Sequence, residues 1–122
     1  MNACNEYRME INDEWLNHII DGRKTIEGRK NNPASWGRLR VNDVIVAVPT
    51  GSGADYDGHR FRVVGIRYYS SVTKYLEAEG LEHCLPGVES IEEGVSIYMR
   101  WSTAEEITQY GFMAIELKPI SS

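Results

Sequence analysis

The sequence predicts an α+β fold, a small mixed and mostly antiparallel β-barrel of about five strands flanked by short helices. Three observations lead there. The chain has 122 residues, one domain's length, and residues 1–122 are read as a single domain. Its composition, 42% hydrophobic and 25% charged, suffices for a core. Apolar positions alternate in several short runs bounded by turn residues and fall at helical spacing elsewhere, with no repeat, low-complexity tract or linker between them.

The elements follow in order. Tyr7, Met9 and Ile11 alternate with Arg8 and Glu10, the period of a strand with one buried face. Asn12 or Asp13 caps a short helix to Asp21, whose stripe is Trp15, Leu16, Ile19 and Ile20. Gly22 stands where a left-handed residue ends it, and an extended segment runs to residue 30. A loop at 31–35 leads to Trp36 and Gly37. Asn42 and Asp43 make a turn, with Asn42 suited to positive φ, before an apolar strand at 44–48. A Gly/Asp-rich connection at 50–58 joins it to a strand at 61–69, as in an antiparallel hairpin. Helices are expected at 71–79, after Ser90 and after Ser102, the last two from capping-box spacing to Glu93 and Glu105. Residues 112–118 close the chain as a strand carrying Met113, Ile115 and Leu117 on one face. Closure into a barrel would leave no free sheet edge.

Net charge is −5, which argues against coating duplex nucleic acid by bulk electrostatics. The charge is uneven. Arg23, Lys24, Arg29, Lys30, Arg38 and Arg40 oppose only Glu27 between residues 23 and 40, which suggests a local anion-attracting surface. No apolar run reaches the roughly 18 residues of a membrane span, and the N-terminal stretch lacks a signal-peptide pattern, so a cytoplasmic or nuclear protein is expected. Cys4 and Cys84 are expected to be free thiols. His18, His59 and His83 have no ligand spacing with one another or with the cysteines, so no metal or other cofactor is implied.

The stretch DGRKTIEGRK, residues 21–30, concentrates the chemistry. In an extended segment Glu27 and Arg29 share a face, and Lys24 reaches the same place from the turn after Gly22. A lysine point charge, a carboxylate acceptor and a planar arginine fork could together hold a phosphate or carbonyl oxygen and accept a proton from a base. A plain surface ion pair is the alternative, worth about 0–1 kcal/mol.

Gly22, Lys24, Glu27 and Arg29 spell G-x-K-x-x-E-x-R, which resembles the signature of the ASCH (activating signal cointegrator homology) domain family, within the PUA-like superfamily of small β-barrels. The resemblance extends along the chain. Trp36 with residues 39–45 is similar to the family's W…(G)D-x-I turn and strand, with Asn42 in place of glycine. Residues 69–81 resemble its Y-x-S…E-G-L helix, and residues 111–117 its G-x-x-A-I-x-L strand. The resemblance implies binding of single-stranded RNA or a modified nucleoside in a cleft lined by Lys24, Thr25, Glu27 and Arg29; the sequence leaves the oligomeric state open, with a monomer favoured. Trp36 and, next, Tyr69 beside Ser70 are the candidate stacking residues; Tyr68 and Tyr75 are further aromatic faces, while Trp15 and Trp101 are assigned to the core. One branch of the family hydrolyses N4-acetylcytidine with a lysine, a threonine at G-x-K-x-x-T spacing and a distant glutamate. Here Lys24 is kept and Glu27 occupies the threonine position. A hydrolase, an amidohydrolase of this kind or a ribonuclease, would use Lys24 and Glu27, with Glu79 as a further carboxylate. The third class is a protein-interaction domain without a ligand. The trio is expected to converge on one concave, water-depleted notch, and Lys24→Ala and Glu27→Ala to leave the melting temperature nearly unchanged.

Overall fold

The computed structural model describes residues 4–120. Strand β1 (Glu6–Ile11) leads into helix α1 (Asp13–Ile20), and β2 (Ile26–Lys30) follows. A single 3-10 turn at Trp36–Arg38 precedes β3 (Val44–Pro49) and β4 (His59–Tyr69). Helices α2 (Val72–Glu79), α3 (Leu81–Cys84), α4 (Ile91–Tyr98) and α5 (Ala104–Tyr110) come next, and β5 (Phe112–Pro119) ends the fold.

The five strands form one curled sheet in the order β1-β3-β4-β5-β2. β1 pairs with β3 in parallel; the β3–β4, β4–β5 and β5–β2 pairs are antiparallel. The α+β class and the antiparallel hairpin of β3 and β4 are as expected. Closure is different. β1 and β2 are the two edges, and no backbone ladder joins them, so the sheet is a half-barrel with a seam.

Local chemistry explains the turns. Asn42 has φ +82°, and the buried Asp43 carboxylate accepts the N–H groups of Asn5 at 3.0 Å and Arg40 at 2.8 Å, which ties the start of β1 to the start of β3. Gly22 has φ +83° and releases the chain from α1, after which the Arg23 and Lys24 N–H groups both donate to the His18 carbonyl. Ser71 and Ser90 cap α2 and α4 through the Lys74 and Glu93 amides. The capping box of α5 is one residue later than expected: Thr103, whose backbone is extended, and Glu106 form it. Helix α3 is an additional turn that starts again after Gly80, whose φ of +96° breaks α2.

The core lies between the concave face of the sheet and the helices. Met9, Ile45, Val63, Met113 and Ile115 are fully buried on the strands, and Tyr75, Leu76 and Leu85 meet them from the helical side. Cys4 is exposed, Cys84 is buried, and both are free thiols. No helix among the described residues is long and apolar enough to cross a membrane.

Candidate functional site

The seam between β1 and β2 is a cleft of about 420 Å³. Glu10, Ile11 and Asn12 line it from the β1 side, and Glu27, Gly28, Arg29 and Lys30 from the β2 side. Trp36 stands at one part of the wall, and Tyr98 and Trp101 at another. Such a volume lies within the range of small-ligand pockets, roughly 300–1,000 Å³.

Lys24 sits beneath this wall and is only 2% exposed. Its ammonium donates to the Cys84 carbonyl at 2.5 Å and the Ile26 carbonyl at 2.6 Å, and lies 3.2 Å from Glu27 Oε1. All three N–H groups of the side chain thus have an acceptor. Glu27, 6% exposed, accepts from the Gly28 N–H through Oε1 and from Arg29 Nη2, 2.9 Å away, through Oε2. Burial by itself would push the Glu27 carboxyl up, but the adjacent Lys24 and Arg29 charges, with their hydrogen bonds, outweigh it and hold the group down at about 2.

Arg29 extends this network across the seam. The same Nη2 donates to the Glu10 carbonyl on β1 at 3.0 Å, and the guanidinium carbon lies 5.8 Å from the centre of the Trp36 ring. Trp36 in turn packs edge-on against Tyr7 at 6.2 Å between centroids. Behind the cleft, the Tyr98 and Tyr75 hydroxyls share a hydrogen bond of 2.9 Å, and both rings pack on Phe112. Gly28 admits this packing: a Cβ there would meet Phe112 Cε2 at 2.6 Å and the Tyr75 hydroxyl at 2.8 Å. Burial pushes the Cys84 thiol up to about 11, leaving it protonated at neutral pH.

The structure gathers Lys24, Glu27, Arg29 and Trp36 around the cleft. Thr25 and Glu79 belong instead to a second, shallower depression of about 240 Å³ that also contains Arg67 and Glu116. There Glu79 accepts from Arg67 Nε at 2.7 Å and from the Tyr69 hydroxyl, so Tyr69 is directed to that side as well. Ser70 is exposed and lines neither space. Tyr75 is fully buried and presents no stacking face, whereas Tyr68 is exposed away from the cleft. Trp101 corrects the sequence assignment: it is 57% exposed, at the mouth of the cleft, because it falls in the bend between α4 and α5 rather than on a helix stripe.

The anion-attracting surface expected for residues 23–40 is neutralised in part, since Arg38 and Arg40 are exposed with no carboxylate partner among the described residues. Arg23 lies 3.3 Å from Asp21, Lys24 and Arg29 share Glu27, and Lys30 lies 3.0 Å from Glu106. The sequence could not show the last of these pairs, whose partners are far apart along the chain. Glu10, Tyr98 and Trp101 also went unforeseen as wall residues; Glu10 reads only as the polar side of a strand, and Tyr98 only as part of an apolar helix face.

Comparison with known proteins fixes the lineage. The family model of the ASCH domain matches residues 9–121. The chain belongs to the ASCH domain family. Two solved structures resemble this ASCH domain over nearly their whole length. The crystal structure of the hypothetical protein PH0355 shares 36% identity at a TM-score of 0.83, with 94% of this chain and 99% of that one covered. The solution structure of protein PF0455 from Pyrococcus furiosus shares 37% identity at a TM-score of 0.75, over 96% of this chain and 99% of that one. An ASCH protein from Zymomonas mobilis, 17% identical over 93% of this chain and 67% of its own, has the same fold at a TM-score of 0.63. No curated protein matches the chain. The curled five-stranded sheet with short helices is the ASCH and PUA-like architecture.

Proposed function

We propose that this ASCH domain binds a single unpaired base in the seam cleft, presented by a modified nucleoside or by single-stranded RNA. The observation that carries the reading is the wall itself. A polar network of Glu27, Arg29 and Lys24 is fixed beside exposed or half-exposed tryptophans around a volume suited to a nucleoside. The cations that line the cleft, Lys24, Arg29 and Lys30, are each engaged by a carboxylate, so little free positive charge remains inside it for a run of phosphates. Recognition therefore acts on the base more than on the backbone.

A hydrolytic role for the trio is less favoured by the same geometry. A nucleophilic lysine needs a neutral amine with a lone pair, and the Lys24 ammonium has all three donors engaged. A general base gains from a carboxyl raised toward neutrality, and Glu27 is held at about 2. Nor does Glu79 line the cleft. The test is incubation with modified nucleosides and short RNAs, read by calorimetry for binding and by mass spectrometry for turnover. Binding that Trp36→Ala weakens, without product, is expected. Turnover abolished by Lys24→Met in a folded protein would replace the binding reading with the hydrolase; no binding to any nucleoside or RNA would leave the interaction domain.

A further inference from the structure

β2 is an edge strand, so half of its backbone groups have no sheet partner, and the register shows which half. Leu117 N–H donates to the Thr25 carbonyl and Asn31 N–H to the Gly111 carbonyl, on either end of the β2–β5 pairing. Ladder bonds alternate along an antiparallel pair, so Thr25, Glu27, Arg29 and Asn31 direct their N–H and C=O groups to β5. Ile26, Gly28 and Lys30 direct theirs away from it. The Ile26 carbonyl is taken by Lys24 and the Gly28 N–H by Glu27. Among the described residues no donor meets the Gly28 carbonyl and no acceptor meets the Lys30 N–H. Both residues line the cleft.

We infer that the Gly28 carbonyl and the Lys30 N–H form the base-reading edge of this site, and that they select a base carrying an amino N–H beside an unprotonated ring nitrogen, as in cytosine and adenine. The inference rests on the proposed binding of a base. An acceptor and a donor two residues apart on one side of an extended strand face a planar ligand together, and a heterocycle with adjacent donor and acceptor can satisfy both.

The direction of the strand decides which bases fit. Past Gly28 lie the buried Glu27 and Lys24, while Lys30 is half-exposed and the exposed Trp101 stands near it at the mouth. A sugar must therefore leave at the Lys30 end. With the sugar there, cytosine and adenine point the amino group at Gly28 and the ring nitrogen at Lys30, so both hydrogen bonds form. Uracil and guanine, held the same way, set a carbonyl oxygen against the Gly28 carbonyl and an N–H against the Lys30 N–H. Turning them over drives the sugar into the buried end. Sliding uracil by one position, N3–H on the Gly28 carbonyl and O2 on the Lys30 N–H, keeps the sugar outward but brings O4 against the Glu27 carboxylate oxygen that holds the Gly28 N–H. The corresponding N2–H and N3 edge of guanine lies beside its own sugar. Neither group belongs to a side chain, so no residue type in the sequence announces them.

The experiment is a titration of the full chain with cytidine, adenosine, uridine, N4,N4-dimethylcytidine and N6,N6-dimethyladenosine, followed by the amide resonances. At least one of cytidine and adenosine is expected to bind about tenfold or more tighter than uridine, to move the Lys30 amide, and to lose that advantage on dimethylation. Lys30→Pro removes the donor without touching the β5 ladder, as an edge strand permits, and brings the ratio to uridine near one. Equal binding of all five, or binding that leaves the Lys30 amide unmoved, overturns the inference while base binding stands. No binding of any of them, and none of a short RNA containing all four bases, overturns base binding and the inference with it.

Discussion

Arg29 on β2 hydrogen-bonds the Glu10 carbonyl on β1 at 3.0 Å, so a side chain spans the seam that the backbone leaves open. The same guanidinium binds the Glu27 carboxylate and lies beside the Trp36 ring, which makes it the joint between edge strand, buried charge and aromatic wall. Replacing it by lysine keeps a charge but loses the planar fork. Arg29→Lys is therefore expected to lower stability by about 1–2 kcal/mol in urea denaturation and to weaken nucleoside binding. A variant with unchanged midpoint and affinity would show that the bridge does nothing.

The Lys24–Glu27 pair, separated by 3.2 Å, reverses the expectation of a melting temperature indifferent to its loss. Both residues are buried: removing Glu27 strands the Lys24 charge in a poorly solvated place, and removing Lys24 leaves the Glu27 carboxylate with Arg29 as its remaining cation. Lys24→Ala or Glu27→Ala is expected to cost about 3–5 kcal/mol. The double replacement Lys24→Met with Glu27→Leu is expected to recover part of that, since no fully buried charge remains and the Arg29 it frees is partly exposed to solvent. Losses below about 0.5 kcal/mol in both single variants, a size typical of surface sites, would contradict this burial.

Acid should reveal the same pair. Glu27 has an ordinary value of 4.5 and is held at about 2 in the folded chain by its two cations against the cost of burial. A carboxyl depressed on folding stabilises the protein above its unfolded value, and that stabilisation disappears as pH falls through the folded one. The window runs from about pH 5 down to about pH 2, and the contribution is ~3 kcal/mol. Glu79, lowered chiefly by its hydrogen bond from Arg67, adds to the slope in the same direction. Denaturation midpoints measured across this window should fall steeply for the native chain and less steeply for Glu27→Gln. Parallel curves would remove Glu27 from the account.

Alternation and capping made β1, α1, β3, β4 and β5 legible, since each depends on neighbours within a few residues. The Gly22 and Asn42 turns were readable for the same reason: few residues take positive φ without strain. Convergence of Lys24, Glu27 and Arg29 was likewise local, resting on strand parity after a glycine turn. The seam was not legible, because sheet closure depends on how β1 and β2, the two edges of the strand order, meet after the whole sheet has curled. Burial of Lys24 depends on the Cys84 carbonyl, and the neutralisation of Lys30 on Glu106; both are long-range contacts. Trp101 misled for a simpler reason. A tryptophan is usually interior, and only its position in the bend between two helices exposes it.

That exposure separates stability from binding at one position. Trp101 is 57% exposed and its side chain contributes little to the core, so Trp101→Ala should change unfolding free energy by no more than about 0.5 kcal/mol. If its ring stacks on a base at the cleft mouth, the same replacement should cost about 1–3 kcal/mol of binding. Salt supplies the complementary measurement. With Lys24, Arg29 and Lys30 already paired, few counterions are released when a short RNA binds, and the logarithm of affinity should fall with the logarithm of salt at a slope of about one or less in magnitude. A steep slope with an unaffected Trp101→Ala variant would mean that phosphates, held elsewhere on the surface, dominate the interaction.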